Sequence, residues 1–231
     1  MQKLQFIKKY NFLFIVPFLY SVQFSIYGEE NLQLQKEIKL SIEYFKKGNY
    51  SRSREIAEKI LYSRKYIPQK ILVVLVLTSK DIDTAEKYIQ SYYKVSNKID
   101  KELSKSILFF LERCLVSEKY KFGLKWGGVF KKEANSFPEY PIGLYYYSCI
   151  LKELGKNRES LYVSNLSLSH STSKILDEKI HLLRLHVLPD KHLLKEIQKF
   201  IEKFPNSEYT TQVNGLMESH KKKISDNYVM R

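Results

Sequence analysis

Two cysteines, Cys114 and Cys149, are too few to staple a chain of 231 residues into a disulfide framework. Their wide separation also lacks the close pairing of a zinc site. Eight glycines and six prolines leave little turn punctuation, which argues against a turn-rich all-β fold and against a disordered chain. Phosphate-cradling glycine loops are missing, as are the paired histidines of metallohydrolases and the G-x-S-x-G elbow that presents a nucleophilic serine. His181 and His186 are five apart, so a helix would not bring them to one face. Asp81 and Asp83 stand beside a turn, where acids complement a helix start, and they read as that rather than as a catalytic pair. The expectation is no enzyme, no cofactor and no metal.

Long apolar runs are missing after the amino-terminal stretch. Ile71 to Leu77 is apolar all round but far shorter than the roughly 20 residues that span a bilayer. Residues 1–28 differ. Lys3, Lys8 and Lys9 precede an apolar run from Phe12 to Tyr20, then Ser21, Ser25 and Gly28 lead to Glu29 and Glu30. That is the layout of an export signal, with cleavage expected after Gly28. The alternative is an uncleaved anchor over residues 10–27 in the inner membrane. Either reading places the rest of the chain in the periplasm or at the cell envelope. In such a compartment a bridge between Cys114 and Cys149 is open, beside the plainer reading of two small buried side chains.

What the chain has is lysine and aromatics. The formal net charge is +14, and 14 % of residues are Phe, Trp or Tyr. The charge suits an anionic partner such as a membrane surface, an acidic protein or a nucleic acid, but it is also what a solvated lysine-rich surface looks like. An export signal speaks against nucleic acid.

The periodicity is helical throughout. Leu40 to Leu61 reads as two amphipathic helices around a turn at Gly48, with Tyr44 and Ala57 facing each other's helix and Ser51 or Ser53 able to cap the second. Weaker copies follow over 69–93, 103–132, 141–168 and 176–204, and a last helix over 207–223 begins at a cap on Asn206 or Ser207. Residues 224–231 read as a flexible tail. A small residue opens each second helix at Ser53, Ala85, Gly123 and Ser160, with Leu194 breaking the rule in the fifth copy. Gly123 and Gly127, inside a helix, read as sites where a neighbouring backbone or ring comes close. Gly155 marks the fourth turn as Gly48 marks the first. Units of this size built from two helices stack to share one core. The expected fold over 29–223 is therefore all-α, an α-solenoid of about five helix-turn-helix repeats with a capping C-terminal helix, and a right-handed α-solenoid if it follows the repeat family that the residues below resemble.

Leu40, Ser41, Tyr44, Gly48, Tyr50, Ser53, Ala57 and Ile60 resemble the tetratricopeptide repeat, as do Leu154-Gly155-Lys156 with Ser160, and Asp81 to Ala85 with Ile89. Phe204-Pro205-Asn206-Ser207-Glu208-Tyr209 is similar to the inter-repeat turn of envelope-assembly members of that family. The third copy has Glu118 where a turn glycine is usual. The resemblance implies a scaffold that holds a protein or peptide in a groove lined by the first helix of each pair. By repeat position, the groove residues it implies are Lys70, Val74, Leu108, Glu112, Tyr145, Lys152 and Lys179.

Overall fold

The computed structural model describes residues 31–64 and 67–229, with side chains to 222. The expected signal or anchor segment lies outside the described residues. Among those residues every regular element is a helix: α1 over 31–46, α2 Tyr50–Ser63, α3 Gln69–Thr78, α4 Ile82–Ser96, α5 Lys101–Val116, α6 Tyr120–Glu133, α7 Tyr140–Glu153, α8 Asn157–His170, α9 Lys174–Val187, α10 Asp190–Lys203 and α11 Thr210–Val229. The fold is all-α, with eleven helices among the described residues. None of the described helices is long and apolar enough to cross a membrane. The chain divides into two compact units, one ending at Thr78 and one beginning at Ser79.

In the first unit, α1 ends in a Schellman turn. Gly48 takes φ +76°, its N–H donates to Phe45 O at 3.0 Å, and Asn49 N–H donates to Tyr44 O at 2.9 Å. Asn49, rather than Ser51 or Ser53, caps α2 by accepting from Arg52 N–H at 3.2 Å. Ser53 is instead buried between the two helices. Its hydroxyl donates to Ser41 O at 2.8 Å while the Ser41 hydroxyl donates to Ser53 O at 2.9 Å. The two short side chains let the backbones approach and satisfy each other's polar atoms. Ala57 and Ile60 complete that face, fully buried, and Tyr44 lies half-buried beside it. On α3, five of the residues Ile71 to Val76 are buried, so an all-round apolar run is here a core helix.

In the second unit the same turn recurs twice. Gly155 takes φ +70°, with Lys156 N–H on Leu151 O at 2.9 Å. Glu118 takes φ +56° at the equivalent place, with Lys119 N–H on Cys114 O at 2.9 Å. The backbone geometry thus survives the loss of the glycine. The serine clasp recurs as well: Ser148 donates to Ser160 O at 2.7 Å and Ser160 to Ser148 O at 2.9 Å. Between α6 and α7 the close approach is made by glycines. A Cβ on Gly127 would stand 2.1 Å from the Tyr147 ring, and one on Gly143 would stand 2.2 Å from the Phe130 ring. At Gly123 the neighbour is the flexible end of Ile150, with Cys114 Cβ behind it. Ala85, on α4, is fully buried.

The fifth pair departs from expectation. The connection between α9 and α10 is shorter than the others by one residue, which moves the register. Leu193, not Leu194, takes the place of Ser53 and Ser160. Leu193 is buried, while Leu194 is 38 % exposed. A leucine there keeps the helices apart, and α9 and α10 pack less closely than α7 and α8. Aromatic rings fill the space: Phe200 and Phe204 join Leu185, Leu193, Ile197 and Val213 in one cluster that α11 closes. The last helix also starts and ends later than expected. Ser207 holds a turn ahead of it, its hydroxyl accepting from Tyr209 N–H at 3.0 Å, so Glu208 precedes the helix. The helix then continues to Val229, through most of the segment read as a tail.

Candidate functional site

The first helices α5, α7 and α9 of the second unit pack in that order, and α11 follows. Each turns its apolar stripe inward, which leaves one stripe per helix to line a shared surface. On α5 that stripe carries Leu108, half-buried, and Glu112, exposed. On α7 it carries Tyr145, Tyr146, Cys149 and Lys152, all half-buried. On α9 it carries Lys179 and His186, both exposed.

Hydrogen bonds tie the strip together. Tyr146 donates to Glu112 Oε1 at 3.1 Å, linking α7 to α5. Burial and then Glu112 push its phenol up to about 12, so it remains a donor at any ordinary pH. Tyr145 packs its ring 5.7 Å from that of Tyr146, and burial raises its phenol too, with Cys149 beside it. Lys152 Nζ lies 2.9 Å from Glu153 Oε1. Although the residue as a whole is exposed, desolvation of its ring and then Lys152 hold His186 below the usual imidazole value, so the ring is neutral at pH 7. Its Nε2 lies 3.2 Å from Gln212 Nε2 of α11. The strip therefore runs from a carboxylate through two tyrosines to a lysine and a neutral imidazole. It offers donors, acceptors and flat apolar rings at close spacing, and burial keeps the Cys149 thiol among them protonated.

Of the residues the repeat implies, Leu108, Glu112, Tyr145, Lys152 and Lys179 lie on these three helices. Lys70 and Val74 lie on α3 in the other unit. Lys70 is exposed, but Val74 is 4 % exposed and belongs to the core, because α3 is apolar on every side. Sequence reasoning missed Tyr146, Cys149, His186 and Gln212. Tyr146 and Cys149 were findable, since both fall within one turn of Tyr145 on the same face. His186 repeats the placement of Lys152 one helix pair later.

Several other ionisable groups serve packing. Glu86 is buried, and although burial opposes its charge, hydrogen bonds from Lys125 at 2.7 Å, from Gln90 and from Trp126 Nε1 at 3.2 Å hold it below the usual carboxylate range. Glu133 accepts from Tyr93 at 2.6 Å and from Ile99 N–H at 3.2 Å. Burial pushes the Cys114 thiol up to about 12 and the Cys149 thiol up to about 11; both are free thiols. Among the described residues, no group of three or more His, Cys, Asp or Glu gathers as metal ligands would.

Helix pairs with a Schellman turn, small residues at the crossing and a closing helix define a tetratricopeptide-like helical-repeat protein. Solved structures agree. MamA from AMB-1 superposes with a TM-score of 0.59 at 12 % identity, over 79 % of this chain and 98 % of that one. MamA from MSR-1 gives 0.54 at 13 % identity, over 79 % and 95 %, and a point mutant of MamA gives 0.55 at 13 %, over 81 % and 99 %. No family model and no curated protein sequence matches the chain.

Proposed function

We propose that the protein is a non-enzymatic scaffold that docks an extended stretch of a partner polypeptide on the strip formed by α5, α7 and α9. The carrying observation is the Glu112–Tyr146 hydrogen bond beside Tyr145, Lys152 and His186. These groups are accessible and of mixed polarity, as a peptide backbone with polar side chains requires. Mixed charge also favours a peptide over a nucleic acid, which would be repelled by Glu112. Burial keeps Cys114 and Cys149 as protonated thiols, poor nucleophiles that suit packing better than chemistry. The amino-terminal basic and apolar stretch supports an exported protein working at the cell envelope.

The test is affinity capture from an envelope fraction, comparing the wild type with Tyr146→Ala and Lys152→Glu. A tyrosine at the centre of a contact is worth about 2 kcal/mol, or roughly thirty-fold in affinity. Retention of every partner by the double variant would remove the strip from consideration. Sequencing the amino terminus of the protein from fractionated cells tests export. A chain starting at Glu29 in the periplasmic fraction is the expected result.

A further inference from the structure

The second helices α4, α6 and α8 carry an unbalanced charge that the groove does not use. Opposite its buried stripe of Gly123, Trp126, Gly127 and Phe130, α6 presents Lys121, Lys125 and Lys132, all exposed. On α4 the outward residues include Lys87 and Lys94, and on α8 Arg158, Tyr162 and Asn165. The three helices share one outer face. Lys119 of the α5–α6 turn reaches Asp83 of α4 at 3.9 Å, Lys125 reaches Glu86 at 2.7 Å, and Lys131 of α6 lies over the Tyr162 ring of α8 at 5.4 Å.

Every acid on these helices is already engaged. Asp83 faces Lys119, Glu86 holds Lys125, Glu133 is taken by Tyr93 and Ile99 N–H, and Glu159 faces Lys156 at 3.2 Å. That leaves Lys87, Lys94, Lys121, Lys132 and Arg158, none of which has a carboxylate within ion-pair distance among the described residues. The groove side, by contrast, interleaves Glu112 and Glu153 with its lysines.

We propose that this outer face docks on an anionic phospholipid surface. Four of the five unmatched cations are lysines held by no fixed partner. A folded acidic protein presents carboxylates at fixed places, which the planar fork of arginine matches better; a fluid plane of headgroups suits mobile ammonium groups on long stems. Tyr162, 61 % exposed, and Val95, 50 % exposed beside Lys94, supply the amphipathic and apolar tips that settle at a membrane interface. The face lies on the second helices, so bilayer docking leaves the peptide strip of the first helices open.

The test is co-sedimentation of the mature chain, beginning at Glu29 and so without the amino-terminal apolar stretch, with vesicles of phosphatidylcholine alone or with phosphatidylglycerol added. Binding is expected only with phosphatidylglycerol, and it should fall as salt rises. Each cation near such a surface contributes about five-fold in partitioning. Lys94→Glu, Lys121→Glu and Lys132→Glu together should therefore lower binding by at least about a hundred-fold, with the circular dichroism unchanged because all three side chains are exposed. Lys152→Glu with Lys179→Glu on the groove side should leave vesicle binding as it was. Absence of binding to phosphatidylglycerol vesicles overturns the proposal, as does a triple variant that still sediments. Capture by an acidic polypeptide without vesicle binding overturns it too, in favour of a protein partner. Because the groove pair is scored separately, failure here and failure of the peptide strip are distinguishable.

Discussion

Gly127 and Gly128 are adjacent in α6, yet replacing each by alanine should move stability in opposite directions. Both changes gain helix propensity, about 1 kcal/mol for a glycine in a helix interior. They differ in what the new methyl meets. At Gly128 the nearest atom is the Tyr147 hydroxyl at 3.8 Å, an ordinary contact, so Gly128→Ala should stabilise by up to about 1 kcal/mol. At Gly127 the methyl would stand 2.1 Å from Tyr147 Cδ2 and 2.5 Å from Cγ, the rigid part of a ring that is itself buried on α7. Overpacking of this kind costs about 1–3 kcal/mol and more where the neighbour cannot turn away. Gly127→Ala should thus destabilise by about 1–2 kcal/mol net, or roughly 3–6 °C in Tm for a protein of this size. Urea unfolding followed by circular dichroism reads both, with Tyr147→Leu as a third variant. If the ring is the obstacle, Gly127→Ala should cost less in the Tyr147→Leu background. Two alanine variants that shift together, in either direction, would refute the account of how α6 meets α7.

Two further predictions follow from backbone and charge. Glu118 holds the left-handed turn conformation that Gly48 and Gly155 adopt without strain, so Glu118→Gly should relieve about 1–2 kcal/mol of steric cost against a smaller loss through the unfolded chain, raising the urea midpoint at unchanged slope. Burial, then Lys203 and Arg184, lowers the His181 imidazole to about 4 from 6.5, while Asp177 and Glu196 oppose this only in part. The unfolded chain therefore binds the proton first, and stability that is complete above pH 6.5 drains away as pH falls toward 4, by up to about 3 kcal/mol before solvent screening. A thermal-melt series across that window should show His181→Leu flatter than the wild type, and equal slopes would contradict the assignment.

The repeat was legible because packing constrains it. Ser53, Ala85, Gly123 and Ser160 must be small for two backbones to approach, and Gly48 and Gly155 must turn, so spacing alone exposes them. The third turn was legible from its place in the copy although Glu118 stands where a glycine is usual, and the backbone takes the left-handed shape there all the same. Leu194 was placed one residue off because a loop shortened by one residue shifts register without leaving a motif. Asn49 was passed over as a cap because two serines followed it within a single turn, and only the hydrogen bond to Arg52 N–H decides among them. The binding strip was harder to read for a different reason. Groove positions face no packing requirement, so Tyr146, Cys149 and His186 obey no rule of size. Val74 shows the converse: repeat position put it in a groove, but a helix apolar on all sides has no solvent face to spare.

The same contrast bears on how the second unit holds together. Where the crossing residues are Ser148 and Ser160, the helices touch and lock through reciprocal hydrogen bonds, each worth about 1 kcal/mol net when buried. Where the crossing residue is Leu193, no such lock can form, and cohesion shifts to the contents of the gap. Phe200 and Phe204 lie with ring centroids 5.1 Å apart, and Val213, Leu216 and Met217 of α11 close over them. The final helix is therefore more than a polar lid, because without it that cluster would face water. The end of the strip where Gln212 meets His186 then depends on the same helix, so disturbing α11 disturbs the groove through packing alone.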